Sequence, residues 1–109
     1  MKHEKVIKTN EGDIKVFIKE SSFIAKLAAW KLNAPQLAIV IGNTIHLYQT
    51  SVDDFLKSEK WLRHELCHIK QFRDHGFVRF ILLYIMESMK KGYINNRYEV
   101  EARNAERTT

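Results

Sequence analysis

Cysteine is almost missing from this chain of 109 residues: Cys67 is the only one, so no internal disulfide can form. Proline is as scarce, with Pro35 alone, and no stretch reads as a linker, a repeat or a low-complexity segment. Long apolar runs are missing too. The longest nearly apolar stretch, residues 77–86, is interrupted by Arg79 and is too short to span a bilayer. The opening residues Met1-Lys2-His3-Glu4-Lys5 are charged and no apolar run follows them, so no Sec leader is expected here. No block of like charge stands out either. The formal net charge is +5, but the lysines and arginines are spread out, with short pairs such as Lys90-Lys91. That is a solubilising surface rather than a nucleic-acid footprint, and no RNA-binding or zinc-finger pattern accompanies it. These absences lead to the expectation of a cytoplasmic protein, a single domain over 1–109 with one modest core, no membrane span and no nucleic-acid partner.

What is present divides into two kinds of pattern. In the first half, residues 14–18 alternate loosely and are β-rich, which predicts a strand. Ser21 or Ser22 can cap a helix over 23–31. Two β-rich runs, 37–41 and 44–48, flank Gly42-Asn43 and predict a tight hairpin, with glycine supplying the positive φ of a type II′ turn. Residues 52–56 read as a loop or a short helical turn. In the second half, Ser58 can cap a long helix over 59–75 that Gly76 ends. A second helix covers 77–91, closed by Gly92, and Asn95 or Asn96 can start a third over 97–106. The fold class is therefore α+β, an N-terminal antiparallel sheet with one helix followed by three C-terminal helices.

The chemistry sits on the long helix. His64-Glu65-Leu66-Cys67-His68 reads His-Glu-x-x-His. Residues four apart share a helix face, so both imidazoles can aim at one metal ion. Glu65 lies about 100° around from His64. It is badly placed as a third ligand but well placed to hold a water as general base. On the helical wheel Trp61, Leu62, Leu66, Ile69 and Phe72 form one apolar arc. His64, His68, Gln71 and His75 form a polar stripe at its margin, and Glu65 falls inside the arc, a poor place for a carboxylate without a function. The bland reading is two surface histidines one turn apart, and the motif alone does not exclude it.

A catalytic zinc site usually has three protein ligands and an open position. His75 is seven residues past His68, about 10 Å along the axis, which is too far to share the ion. The segment Arg97-Tyr98-Glu99-Val100-Glu101-Ala102-Arg103 offers carboxylates on a following helix. Glu99 and Glu101 both stand open there as the third ligand. The bland alternative for Glu99 is a helix-start carboxylate three residues after Asn96.

Here the sequence resembles the gluzincins, metallopeptidases whose third ligand is a glutamate on a helix after His-Glu-x-x-His. Their glutamate helices often read Glu-x-x-Ala-Asp. Glu99-Val100-Glu101-Ala102 matches four positions, and Arg103 stands where the aspartate would be. The size is similar to that of the stand-alone minigluzincins. The resemblance implies a small zincin-like domain with one Zn²⁺ per chain on His64, His68 and Glu99, Glu65 as general base, and a peptide or unfolded protein as substrate. It also implies an oxyanion partner, for which Tyr93, Tyr98 and His75 stand open. The hairpin 37–48 occupies the place of a substrate-pairing edge strand. By the same resemblance, a terminal segment carrying Glu106 or the C-terminal carboxylate would cover the cleft and keep the enzyme latent, as a zymogen. Cys67 flanks the histidine stripe, as a metal-contacting thiol or, more simply, a partly buried one. Residues 77–86 read first as the centre of a small core, with a homodimer interface or a membrane-surface patch as the alternatives. Two further functional readings stand beside the peptidase: a zinc-binding zincin-fold module without proteolysis, and a basic nucleic-acid-binding protein whose motif is accidental.

Overall fold

Ile14, Val16 and Ile18 are buried while the residues between them are not, the two-residue alternation of a strand with one covered face. They belong to β2 (Gly12–Lys19) in a computed structural model that describes residues 2–9 and 12–107. The chain divides into two compact units, Met1–Lys57 and Ser58–Thr109.

The first unit is a four-stranded sheet in the order β1-β2-β4-β3, with two helices. β1 (Lys2–Thr9) pairs antiparallel with β2 and was not expected from the sequence. Its lysines and glutamate hide the pattern, yet charge on an edge strand is an ordinary device against edge-to-edge pairing. Ser22 caps α1 (Phe23–Leu32) by accepting from Ala25 N at 3.3 Å. Its hydroxyl proton is then free for His46 Nδ1, 2.8 Å away. Only Ala25 and Ala29 of α1 are buried, so the helix packs through its small residues. β3 (Leu37–Ile41) and β4 (Thr44–Tyr48) form the expected hairpin, with Gly42 at φ 66 at the turn. α2 (Val52–Lys57) follows, its Val52 N–H donating to Glu20 Oε2 at 2.6 Å.

One expectation is corrected: the sheet is mixed, not antiparallel throughout. After β2 the chain passes through α1 and β3, so β4 returns beside β2 in the same direction and pairs in parallel, Phe17 with Thr44 and Ile18 with Ile45. β4 is the most buried strand, with Thr44 through Leu47 all covered, and β3 is left at the sheet edge.

The second unit is three helices. α3 (Glu59–His75) starts where Ser58 Oγ accepts from Trp61 N at 3.3 Å and stops at Gly76, φ 87, as expected. α4 (Phe77–Asn95) is broken at Gly92, whose φ of 79 no L-residue takes without strain. α5 (Arg97–Ala105) begins at Asn96, whose Oδ1 accepts from Tyr98 N at 2.8 Å. Phe80 centres the aromatic packing, edge-on to Phe72 at 4.6 Å and to Tyr98 at 5.1 Å between centroids. The reading of 77–86 as a buried core helix is corrected. Phe80 is the buried residue of α4, while Phe77, Val78, Leu82, Ile85 and Met86 are exposed. No helix among the described residues is long and apolar enough to cross a membrane.

Candidate metal centre

Three side chains from two helices converge. His64 and His68, one turn apart on α3, place their rings 5.1 Å apart between centroids. Glu99 comes from the first turn of α5. Its Oε1 lies 3.2 Å from His64 Nε2 and 3.3 Å from His68 Nε2. All three ligand atoms fall within 4.8 Å of one another. Glu99 and His68 are buried and His64 is half-buried.

Asn96 brings Glu99 there. Its Oδ1 caps α5, while its Nδ2 donates to Tyr84 O at 3.0 Å and to Ser88 Oγ at 2.9 Å, tying the start of α5 to α4. Glu99 is not the capping carboxylate that its spacing from Asn96 allows. The Asn96 N–H donates to Tyr93 O instead, at 3.2 Å. Glu99 Oε2 accepts from the Tyr84 hydroxyl at 2.5 Å. Burial works against the Glu99 charge, but hydrogen bonds from His64, His68 and Tyr84 outweigh it and hold the carboxyl far below its usual range.

Each histidine is also held from behind. Gln71 Nε2 donates to Tyr98 O at 3.1 Å and to Glu101 Oε1 at 2.9 Å, so the amide oxygen faces His68 Nδ1, 2.8 Å away. That oxygen only accepts, so Nδ1 carries the proton. Glu106 Oε2 stands 2.7 Å from His64 Nδ1 and imposes the same tautomer. With both Nδ1 atoms donating, both Nε2 atoms turn toward a carboxylate that is itself only an acceptor. A cation placed between them would satisfy all three: protons, at the limit giving two adjacent buried imidazoliums, or one metal ion. Burial disfavours charge on both rings, yet bonds and charges from Glu99 and Glu106 raise the pKa of His64, and those from Glu99, Glu65 and Gln71 raise that of His68. A metal ion satisfies all three groups without two like charges side by side, and the donor set fits one.

Glu65 is 4 % exposed, as its place on the apolar arc anticipates. Burial, with Glu99 and Glu106 adding to it against His68, pushes its pKa up to about 8. The other residues singled out from the sequence lie elsewhere. Glu101 is exposed and braces Gln71 rather than joining the histidines. His75 stacks on Phe80, with centroids 6.0 Å apart and rings 13° from parallel. Cys67 lies 3.7 Å from Glu101 Oε1, and burial together with that carboxylate pushes its thiol up to about 12, so it stays protonated. Arg103, in the position of the aspartate, donates to Ile94 O. Tyr98 packs against Phe80 and His75, and Tyr93 is half exposed.

One contributor escaped the sequence reading, and another was singled out in a different role. Tyr84 sits four residues after buried Phe80, so helical spacing alone places it on the inner face of α4. Glu106, expected in a segment over the cleft, lies in the turn beyond α5 with its carboxylate on His64 Nδ1. Comparison with protein families, with curated proteins and with solved structures returns no match.

Proposed function

We propose that this chain is a zinc-dependent peptidase of minimal gluzincin type. One observation carries the reading: a buried carboxylate faces the Nε2 atoms of two histidines whose Nδ1 protons are already committed. The nitrogen–oxygen separations of 3.2 and 3.3 Å match the edge of about 3.3 Å expected for a zinc tetrahedron with ligand bonds near 2.05 Å. Imidazole and carboxylate donors with no thiolate suit a catalytic rather than a structural zinc.

His64, His68 and Glu99 would hold the ion, which when bound supplies Lewis acidity toward a peptide carbonyl and lowers the pKa of water. Glu65 accepts a proton from the attacking water and returns it to the leaving amine. A pKa near 8 in the metal-free chain makes it a stronger base than an ordinary carboxylate. Tyr84 donates to Glu99 Oε2, which leaves Oε1, the oxygen within reach of both Nε2 atoms, for the metal. The substrate would be a peptide or an unfolded protein.

The deep burial of Glu65 favours a second reading, a zinc-binding module that does not cleave. Glu65→Gln separates the two. On the first reading, wild type cleaves casein in a zinc-dependent way, and the variant binds zinc equally well but has lost cleavage. Zinc binding without cleavage by wild type selects the module. Protein purified without added metal that takes up no zinc overturns both.

A further inference from the structure

The support of His64 comes from outside both motifs. Glu106 lies in the turn just past α5, where its N–H donates to Arg103 O and Asn104 O. Its Oε2 is 2.7 Å from His64 Nδ1, and its own carbonyl accepts from Arg63 NH1 at 3.2 Å. Arg63 is fixed in turn by Glu59 Oε2 at 3.0 Å. Two consecutive residues of α3, Arg63 and His64, thus grip one residue of the terminal turn by its main chain and its side chain. The carboxylate meets the ring nitrogen that points away from Glu99, so it stands behind the ligand and not across the centre of the cluster. The side chain at the aspartate position, Arg103, is engaged elsewhere, and Glu106 is the carboxylate that reaches His64.

We propose that Glu106 is a positioning residue for the metal centre: by accepting from His64 Nδ1 it fixes the ring's tautomer and aim, which makes the terminal turn part of the site instead of a cover over it. This rests on the metal-binding reading above. An anchored Nδ1–H makes Nε2 the lone-pair nitrogen, and a carboxylate acceptor raises its basicity. Without Glu106, His64 is free to flip or to change tautomer, and the cluster keeps His68 and Glu99 alone as oriented donors.

The test measures zinc affinity by competition with a chromophoric chelator, using the full chain. Glu106→Ala is expected to weaken binding about 10- to 100-fold. Glu106→Leu, which fills similar space without an acceptor, should fall with it, and Glu106→Gln should recover most of the loss. Ending the chain after Arg103 should match the alanine variant, whereas removal of a mere cover would leave affinity unchanged or raise it. Against a His64→Ala background, Glu106→Ala should cost nothing more, because its effect passes through that ring. Unchanged affinity in the leucine and alanine variants, or equal losses with and without His64, overturns the proposal. Wild type that binds no zinc overturns the metal reading itself, whereas binding abolished by His68→Ala but indifferent to Glu106 overturns this inference alone.

Discussion

Gln71 presents its side-chain oxygen to His68 Nδ1 at 2.8 Å, and Tyr98 O and Glu101 Oε1 hold the amide that way round. The residue therefore does for His68 what Glu106 does for His64, from within α3 itself. Gln71→Leu keeps the volume and removes the acceptor. Zinc affinity should drop about 10- to 100-fold. Stability should fall by about 1–3 kcal/mol as the Tyr98 carbonyl loses a donor. Chelator competition and urea titration read the two effects separately.

Metal removal should be visible as a loss of stability. A ligand that binds only the folded state contributes about 2.7 kcal/mol at one hundred times its dissociation constant. For a chain of this size that is a Tm shift of roughly 10 °C or more. Calorimetry with and without a chelator gives the answer, and coincident transitions would contradict it.

Protons compete with the metal for the same nitrogens. Bonds and charges from Glu99 and Glu106 raise His64 against the effect of its burial, and Glu99 chiefly raises His68 against its own, so both rings hold a proton more tightly than an ordinary imidazole in the metal-free chain. Binding must then release protons. Affinity should fall as pH drops below the folded pKa values, by about one decade per pH unit for each proton displaced and two at most. Titration calorimetry in buffers of different ionisation enthalpy counts them.

Tyr84→Phe removes the hydroxyl that donates to Glu99 Oε2. The carboxylate then turns more freely, and zinc binding should weaken about tenfold. Helical content should be retained, because the ring still meets Phe80 at 6.0 Å between centroids. Circular dichroism together with chelator competition checks both halves.

Asn96 is fully buried and makes three hydrogen bonds across the junction of α4 and α5. Asn96→Ala removes a cap and leaves buried polar groups short of partners, a loss of about 2–4 kcal/mol. Unfolding should be eased in the metal-free chain, and zinc should restore part of the loss by holding Glu99 in place.

The bounds of α3 were legible because local chemistry sets them: Ser58 at one end, Gly76 at the other, and a continuous apolar arc between. The burial of Glu65 was legible from the same arc. Glu99 was reached through a family resemblance, and the competing view of it as a cap gives way to its contacts with both histidines. β1 was hidden because an edge strand tolerates the charges that disguise it. The parallel pairing of β2 with β4 was hidden because a contact between residues 17 and 44 leaves no local trace. Tyr84 was masked by an α4 that reads apolar on all sides. Glu106 was singled out as part of a covering segment, but its contact with His64, 42 residues away, leaves no local trace.

The cap at Asn96 has a consequence for what lengths of chain this site tolerates. Glu99 is the third residue of α5, so its bearing is counted from the cap and not from the distant histidines. One residue inserted between the two would swing the carboxylate by about 100° and face it away from α3. The three steps from Asn96 to Glu99 work as a ruler, and their number is as much a part of the candidate metal centre as the side chains themselves.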